Sequence, residues 1–325
     1  MISTQALDHV LQRAKELRAL VIGDAMLDKY IYGSVDRISP EAPVPVVTHH
    51  RTDVKSGGAA NVALNLAAWG CHTTLIGLTG KDANAALLTD LLEKKGIAHH
   101  LYQSEHRPTT VKTRVVAASH HLLRIDDESS AYLSGEEERM VKKHILDFIR
   151  TEKPDLIILE DYNKGLLTPD IIGNIISQAK AQGIYTAVDP KEKNYFEYRG
   201  VNLFKPNLRE ASQAAHQALR PDQLSEICQK WRKALDINSI AITLGAHGLF
   251  LQNESEETHV LPSRAIDVVD VCGAGDAVIC ALALSGICDL DLNQAGALAN
   301  LTGAYVCSHS GVVTVDVKVI HQWIS

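Results

Sequence analysis

The chain has 325 residues, 46% of them hydrophobic and 22% charged, with a formal net charge of −7. That length suits one large α/β domain, and the acidic balance counts against a nucleic-acid-binding surface. No apolar run is long enough to span a bilayer, the N-terminal stretch lacks a signal peptide's basic start and apolar core, and the six cysteines form no Cys-x-x-Cys pair, so the expectation is a cytoplasmic protein with reduced thiols and neither membrane nor nucleic-acid partner.

Strands and helices alternate along most of the chain. "LRALVIGD" (17–24) is a short β-like apolar run ending in Gly-Asp. "GAANVALNLAAWG" (58–70) has helical spacing, "CHTTLIGLTG" (71–80) reads as a strand, and "NAALLTDLLEKKG" (84–96) as a helix stopped by glycine. An amphipathic helix is expected over 136–150 and a buried helix over 294–307. The short apolar runs 155–160, 184–189, 201–204 and 239–245 read as strands of a parallel sheet buried on both faces. This rhythm predicts an α/β fold, a doubly wound and mostly parallel sheet with helices on both faces. Segments 29–50 and 98–126 break it: both are strand-like with no helix inside, and the first carries prolines at 40, 43 and 45. They are expected to form a small antiparallel lid with an edge strand at the prolines. No repeat or linker divides the chain, so one domain with an inserted lid is the expectation.

The motif that carries chemistry is "DVVDVCGAGDAVICALAL" (267–284). Gly273, Ala274 and Gly275 stand directly before an apolar helix, where unpaired amides and a partial positive charge can hold a phosphate. A carboxylate beside that anion hole should repel phosphate, so Asp276 makes sense as the base that takes a proton from an attacking hydroxyl during phosphoryl transfer. The plainer alternative leaves Asp276 complementing the helix dipole beside a tight turn. At the other end of the chain, Asp24 and Asp28 follow the first strand, where ligands of open α/β sheets bind. Gly57, Gly58 and Asn61 offer amides and a side-chain donor and acceptor near a helix start, a set that suits a polyol.

The 270–276 stretch resembles the glycine–alanine–glycine–aspartate signature of the ribokinase (PfkB) carbohydrate kinases, and "SGGAANVALNLAAWG" (56–70) matches that family's earlier glycine motif. The resemblance runs from about residue 20 to the C-terminus. It implies ATP as phosphoryl donor, Mg²⁺ as its companion, Asp276 as base and the 273–275 amides as the anion hole. It further places Asn207, Leu208, Arg209 and Glu210 beside the ATP phosphates, with Glu210 reaching Mg²⁺ through water. Thr243, Gly245 and Gly248 would form an ATP loop, and Asn300 would lie near the adenine. Read on its own, the 207–210 stretch is an Asn-capped helix start with a reciprocal Glu.

"GDAMLDKYIYGSVDRISPEAPVPVV" (23–47) narrows the resemblance to the bacterial heptose-7-phosphate kinases, as do blocks at 111–129, 160–172 and 188–200. These imply a sugar phosphate as substrate, with Lys112, Arg114, Asp161 and Lys164 as its candidate ligands, and Arg124 and Lys191 as further cations in the same loops. The relatives' HxGH nucleotidyltransferase motif does not occur in the sequence, so a kinase without that domain is expected. A homodimer is implied by family habit and by the apolar lid strands. Three departures stand out: Cys272 replaces the usual hydroxyl residue before Gly-Ala-Gly, Glu192 replaces a glycine and Asn194 an acid. A thiol at a helix start could be acidic and oxidisable; a tolerated packing change is the simpler account. A kinase for another sugar, or a non-catalytic binding module, are the alternatives. "GLTGKD" (77–82) fails the Walker A spacing, and the histidine pairs 49–50, 99–100 and 120–121 point to opposite strand faces, so they cannot share a metal.

Overall fold

The computed structural model describes residues 2–117, 120–255, 258–263 and 267–324. In chain order, helix α1 (Thr4–Ala14) leads into β1 (Arg18–Gly23), β2 (Ala25–Ile38), β3 (Pro45–Gly58), α2 (Ala59–Trp69), β4 (His72–Gly80), α3 (Ala83–Lys94) and β5 (Ala98–Ser104). Next come β6 (Val111–Ala117), β7 (His120–Asp127), α4 (Gly135–Glu152), β8 (Leu156–Glu160), α5 (Pro169–Gln182), β9 (Tyr185–Asp189) and β10 (Leu203–Phe204). The chain then runs through α6 (Leu208–Ala214), α7 (Leu224–Leu235), β11 (Ser239–Thr243), β12 (Leu249–Gln252), β13 (Thr258–Leu261), α8 (Ala274–Ile287), α9 (Leu292–Cys307) and α10 (Val317–Ile324).

Nine strands form one sheet in the order β13-β12-β11-β10-β9-β8-β1-β4-β5. The seven from β5 to β11 are parallel, and β12 and β13 add an antiparallel margin. Side chains alternate between the faces, and both faces are covered. Ala19, Val21, Leu156 and Ile158 join a core with α1, α2, α3, α8, α9 and α10, whereas Leu20, Ile22, Ile157 and Leu159 join one with α4, α5, α6 and α7. This is why the strands read as unbroken apolar runs rather than alternating ones. From β1 the chain proceeds to β4 and β5 on one side, then crosses to β8 and beyond on the other. The switch point therefore lies between β1 and β8, and a crevice opens outside their carboxyl ends.

A second sheet of four strands, in the order β3-β2-β6-β7, is built from the two segments that broke the sequence rhythm. Its extent differs from the expected 29–50 and 98–126. Strand β2 starts at Ala25, β3 continues to Gly58, and residues 98–104 belong to the main sheet as β5, parallel to β4. The layer is mixed rather than antiparallel, because β2 and β6 run parallel while β2–β3 and β6–β7 are antiparallel. The parallel pair follows from the α2–β5 excursion between them, which returns the chain to the same end of the sheet. Pro45 opens edge strand β3, and Pro40 and Pro43 lie in the bend before it. Residues 118 and 119, within the expected second segment and the 111–129 block, lie outside the described residues. No helix among the described residues is long and apolar enough to cross a membrane.

Candidate active site

The carboxyl ends of the central strands carry a run of charges: Asp24 after β1, Glu160 and Asp161 at β8, Asp189 ending β9, and Lys205 after β10. Two helices meet them, α2 and α8. Both start at a glycine with positive φ, Gly58 at 56° and Gly273 at 79°, and neither has a side-chain cap. Helices α1, α3, α5, α6 and α9 each have one, while α4 and α7 lack one but do not start at glycine caps. A cap oxygen would occupy the amides that an anion needs.

Asp276 lies in the first turn of α8 and is buried. Its Oδ2 accepts from Asn61 Nδ2 at 2.7 Å and its Oδ1 from the Tyr162 hydroxyl at 2.9 Å. Burial raises its carboxyl to about 6, against the pull of those two donors, and Asp189 adds to the rise. The group is thus ionised at neutral pH yet basic enough to accept a proton. Its neighbours are tightly organised. Lys205, fully buried, pairs with Asp189 Oδ2 at 2.8 Å; burial opposes its charge, but Asp189 and the other acids outweigh that and hold it above its ordinary value. Glu160 has neither carboxylate oxygen hydrogen-bonded and is pushed well up by burial and then by Asp189 and Asp276. A Cβ placed on Gly275 would stand 3.8 Å from both Asp189 Oδ2 and Lys205 Nζ. A side-chain methyl would therefore fit at Gly275 without a clash, in contact with an acid and an ammonium.

On the acceptor side the expected residues converge, but many are already spent. Asp24 Oδ2 accepts from the amides of Tyr162 and Lys164 at 2.8 and 2.9 Å, while its buried Oδ1 has no hydrogen-bond partner among the described residues. Burial, then Asp161, raises it to about 6. Asp28 pairs with Arg114, and a Cβ on Gly57 would meet Asp28 Oδ2 at 2.0 Å. Lys164 pairs with Glu128 at 2.8 Å, and Arg124 with Asp126 at 2.9 Å. Asp161 accepts from Asn194, Tyr198 and the Asn163 amide at 3.0, 2.7 and 2.7 Å, which ties the loop after β8 to residues 194 and 198. Asn194 also donates to Leu167 O at 2.8 Å and accepts from Tyr132 at 2.7 Å. An acid at 194 would set two carboxylates together, and the amide removes that repulsion; Glu192 is exposed. Lys112, 6.0 Å above the Tyr162 ring, has no ion pair among the described residues, and burial lowers its pKa.

On the nucleotide side the capping box is present: Glu210 N donates to Asn207 Oδ1 and Asn207 N to Glu210 Oε2, both at 2.9 Å. Glu210 Oε1 accepts from Lys191 Nζ at 2.5 Å, so both of its oxygens are engaged in the fold. Leu208 and Arg209 continue the first turn of α6, Arg209 exposed. Thr243 bridges to Asn207, placing the end of β11 beside that helix start. Gly245 has open space around it, whereas a Cβ on Gly248 would meet Leu261 O at 2.0 Å. Asn300 Nδ2 donates to Pro262 O at 2.9 Å, so Gly248 and Asn300 both touch the 261–262 turn. A wide groove of 1070 Å³ lies at the other, amino ends of the strands, lined by Arg18, Asp155, Tyr185 and Ser239, away from all of these groups.

The Cys272 thiol is not acidic. Burial and then Asp270 push it up to about 11, the reverse of the helix-start expectation. Sequence reasoning also missed Tyr162, Asp189, Lys205, Glu160 and Asn65. Asp189 and Lys205 had a usable signal, since each ends a short apolar strand where the sheet's ligands collect. Glu160 carried the same signal at the end of β8, whereas Tyr162 and Asn65 had none, because only the packed geometry links them to Asp276. Among the described residues no three His, Cys, Asp or Glu side chains group as a ready metal site.

An uncapped, glycine-started helix, a buried basic carboxylate and a lysine–acid pair thus lie together at the switch-point crevice. The chain belongs to the pfkB family of carbohydrate kinases, whose model matches residues 17–318. Its relatives include proteins named bifunctional protein HldE from Methylobacillus flagellatus, 40% identical over 93% of this chain, and from Caulobacter vibrioides, 38% identical over 95%. The chain spans 62% and 64% of the length of these two. Among solved structures, Escherichia coli phosphofructokinase-2 in complex with fructose-6-phosphate superposes with a TM-score of 0.76 at 19% identity, over 95% of this chain and 99% of that one. Arabidopsis thaliana ribokinase with ribose and ATP gives 0.73 at 17% identity, over 95% and 99%. The fold is thus the ribokinase-like one that the sequence led us to expect, and the chain is an ATP-using sugar kinase.

Proposed function

We propose that this kinase transfers the γ-phosphoryl group of ATP to the anomeric hydroxyl of D-glycero-D-manno-heptose 7-phosphate, giving heptose 1,7-bisphosphate and ADP. The observation that carries the phosphoryl transfer is Asp276: buried, basic for a carboxyl and next to Gly275, which faces Asp189 and Lys205. The heptose assignment is supported by the resemblance of the 23–47 segment and by 35–40% identity to the HldE proteins over nearly the whole chain.

In this reading Asp276 accepts the hydroxyl proton from the acceptor, whose oxygen displaces Tyr162 from Oδ1. The 273–275 amides and Lys205 face the transferring group, and charge there is stabilised by dipoles fixed before the reaction. No three carboxylates group as a ready metal site among the described residues, and Glu210, tied to Lys191, would meet a hydrated Mg²⁺ through the waters that ion keeps. Bound there, Mg²⁺ would neutralise phosphate charge. Asp24 Oδ1, buried without a hydrogen-bond partner among the described residues, accepts a sugar hydroxyl, and Lys112 takes the 7-phosphate. The four-stranded sheet closes over the acceptor and excludes water. Val35, Ile38, Leu122, Leu123 and Ile125 leave apolar surface on that sheet, which supports a homodimer formed through it.

The test is ADP release from Mg·ATP with heptose 7-phosphate beside a panel of pentoses, hexoses and their phosphates. A kcat/KM for heptose 7-phosphate well above all others is expected. Preference for another sugar keeps the kinase and discards the acceptor; no turnover with any sugar discards the catalytic reading of the site.

A further inference from the structure

Asp276 does not choose its own environment. Its Oδ2 receives a hydrogen bond only if the Asn61 amide presents nitrogen rather than oxygen, and the two ends of an amide have the same shape. The selection comes from the next turn of α2. Asn65 Nδ2 donates to Asn61 Oδ1 at 3.1 Å and to Asn61 O at 2.9 Å. Asn65 in turn cannot rotate, because its Oδ1 accepts from the Val315 amide at 3.0 Å. Asn61 and Asn65 are both fully buried, out of reach of bulk water. The chain of donors thus runs one way, from the Val315 amide through Asn65 and Asn61 to the carboxylate.

We propose that Asn65 is a positioning residue which, anchored by the Val315 amide, fixes the polarity of the Asn61 side chain so that a donor always faces Asp276. A backbone group just before α10, far in sequence from either motif, thereby sets the direction of the hydrogen bond on the base. With the amide reversed, an oxygen would face Oδ2, and the carboxyl would keep its proton to higher pH. The other groups around Asp276 are Glu160 from β8, Tyr162 beyond it, Asp189 from β9, Lys205 beyond β10 and Cys280 one turn along α8. Among the described residues Asn65 hydrogen-bonds none of them, so its influence passes through Asn61.

This inference rests on Asp276 being the base, but it is tested on the carboxyl directly. Protein labelled with ¹³C at the aspartate carboxyls is titrated by NMR, the Asp276 signal being the one lost in Asp276→Asn. Asn65→Asp keeps the shape and offers Asn61 an acceptor in place of a donor; Asn65→Leu keeps the bulk and offers neither. Both are expected to raise the Asp276 midpoint, the first by about one pH unit or more and the second by less. The acid limb of kcat/KM for heptose 7-phosphate should move with them. If Asn65→Asp does not fold, Asn65→Leu alone decides. A midpoint unchanged in a folded variant overturns the inference even if Asp276→Asn is inactive. Turnover retained in Asp276→Asn overturns the base assignment instead and leaves the titration standing.

Discussion

The two glycine motifs look alike in sequence and differ in what surrounds them. At 57–58 the protein itself fills the space: a Cβ on Gly57 would strike Asp28, and one on Gly58 would lie 2.4 Å from Asp24 O. At 273–275 only Gly273 is crowded, by Asn61 Nδ2 at 2.9 Å, while Gly275 has its nearest neighbours at 3.8 Å. Gly57 is therefore small because the fold is tight, whereas a methyl at Gly275 would meet only ordinary contacts with an acid and a lysine. Packing does not require glycine at 275, which points to the close approach of a ligand to the backbone.

The sharpest break of this comparison starts with Asp276. Asp276→Asn should lower kcat/KM by about 10³-fold or more while ATP still binds, as seen by nucleotide titration. Near-normal turnover would leave the α8 start as an ordinary turn. Next come the glycines. Gly275→Ala should cost about 10²-fold in kcat/KM through misplacement of the transferring group. Its melting temperature should hold or rise, since alanine favours a helix by about 1 kcal/mol. Gly57→Ala should do the reverse first, losing about 1–3 kcal/mol of stability by overpacking against Asp28. If both variants lose stability alike, the contrast is wrong.

Lys112→Met should raise KM for heptose 7-phosphate by about 10- to 100-fold, the worth of a charge-assisted hydrogen bond, with kcat nearly unchanged. An unchanged KM would move the phosphate to another cation. Activity should fall as pH drops through about 6, because Asp276 must be ionised and its buried carboxyl titrates there. Tyr162→Phe removes a donor to the ionised form, so that limb should move to higher pH by about one unit. A fixed limb would assign it to Asp24, which titrates in the same range. The smallest effect belongs to Cys272→Thr, under about threefold or ~0.6 kcal/mol. Indifference to iodoacetamide at neutral pH would agree with a thiol held up to about 11.

The sequence by itself determined the layers and the chemistry-bearing turns. Apolar runs such as 155–160 and 239–243 are strands because a parallel sheet covered on both faces needs nothing polar inside, and Asn207 with Glu210 announces a helix start because the two side chains satisfy each other's backbone amides. Asp276 was legible for the same local reason, as an acid beside glycines at a helix mouth. Pairing was not local. Residues 98–104 looked like their lid neighbours, and only the edge of β4 recruited them to the main sheet. Asp161 and Lys164 were expected to hold substrate, but tertiary structure spent Asp161 on Asn194 and Tyr198 and Lys164 on Glu128. Asn61, Tyr162 and the Val315–Asn65 anchor reach Asp276 from 215, 114 and 250 residues of separation along their links. Hydrogen-bond direction and desolvation depend on which groups packing brings within 3 Å, and no spacing along the chain encodes that.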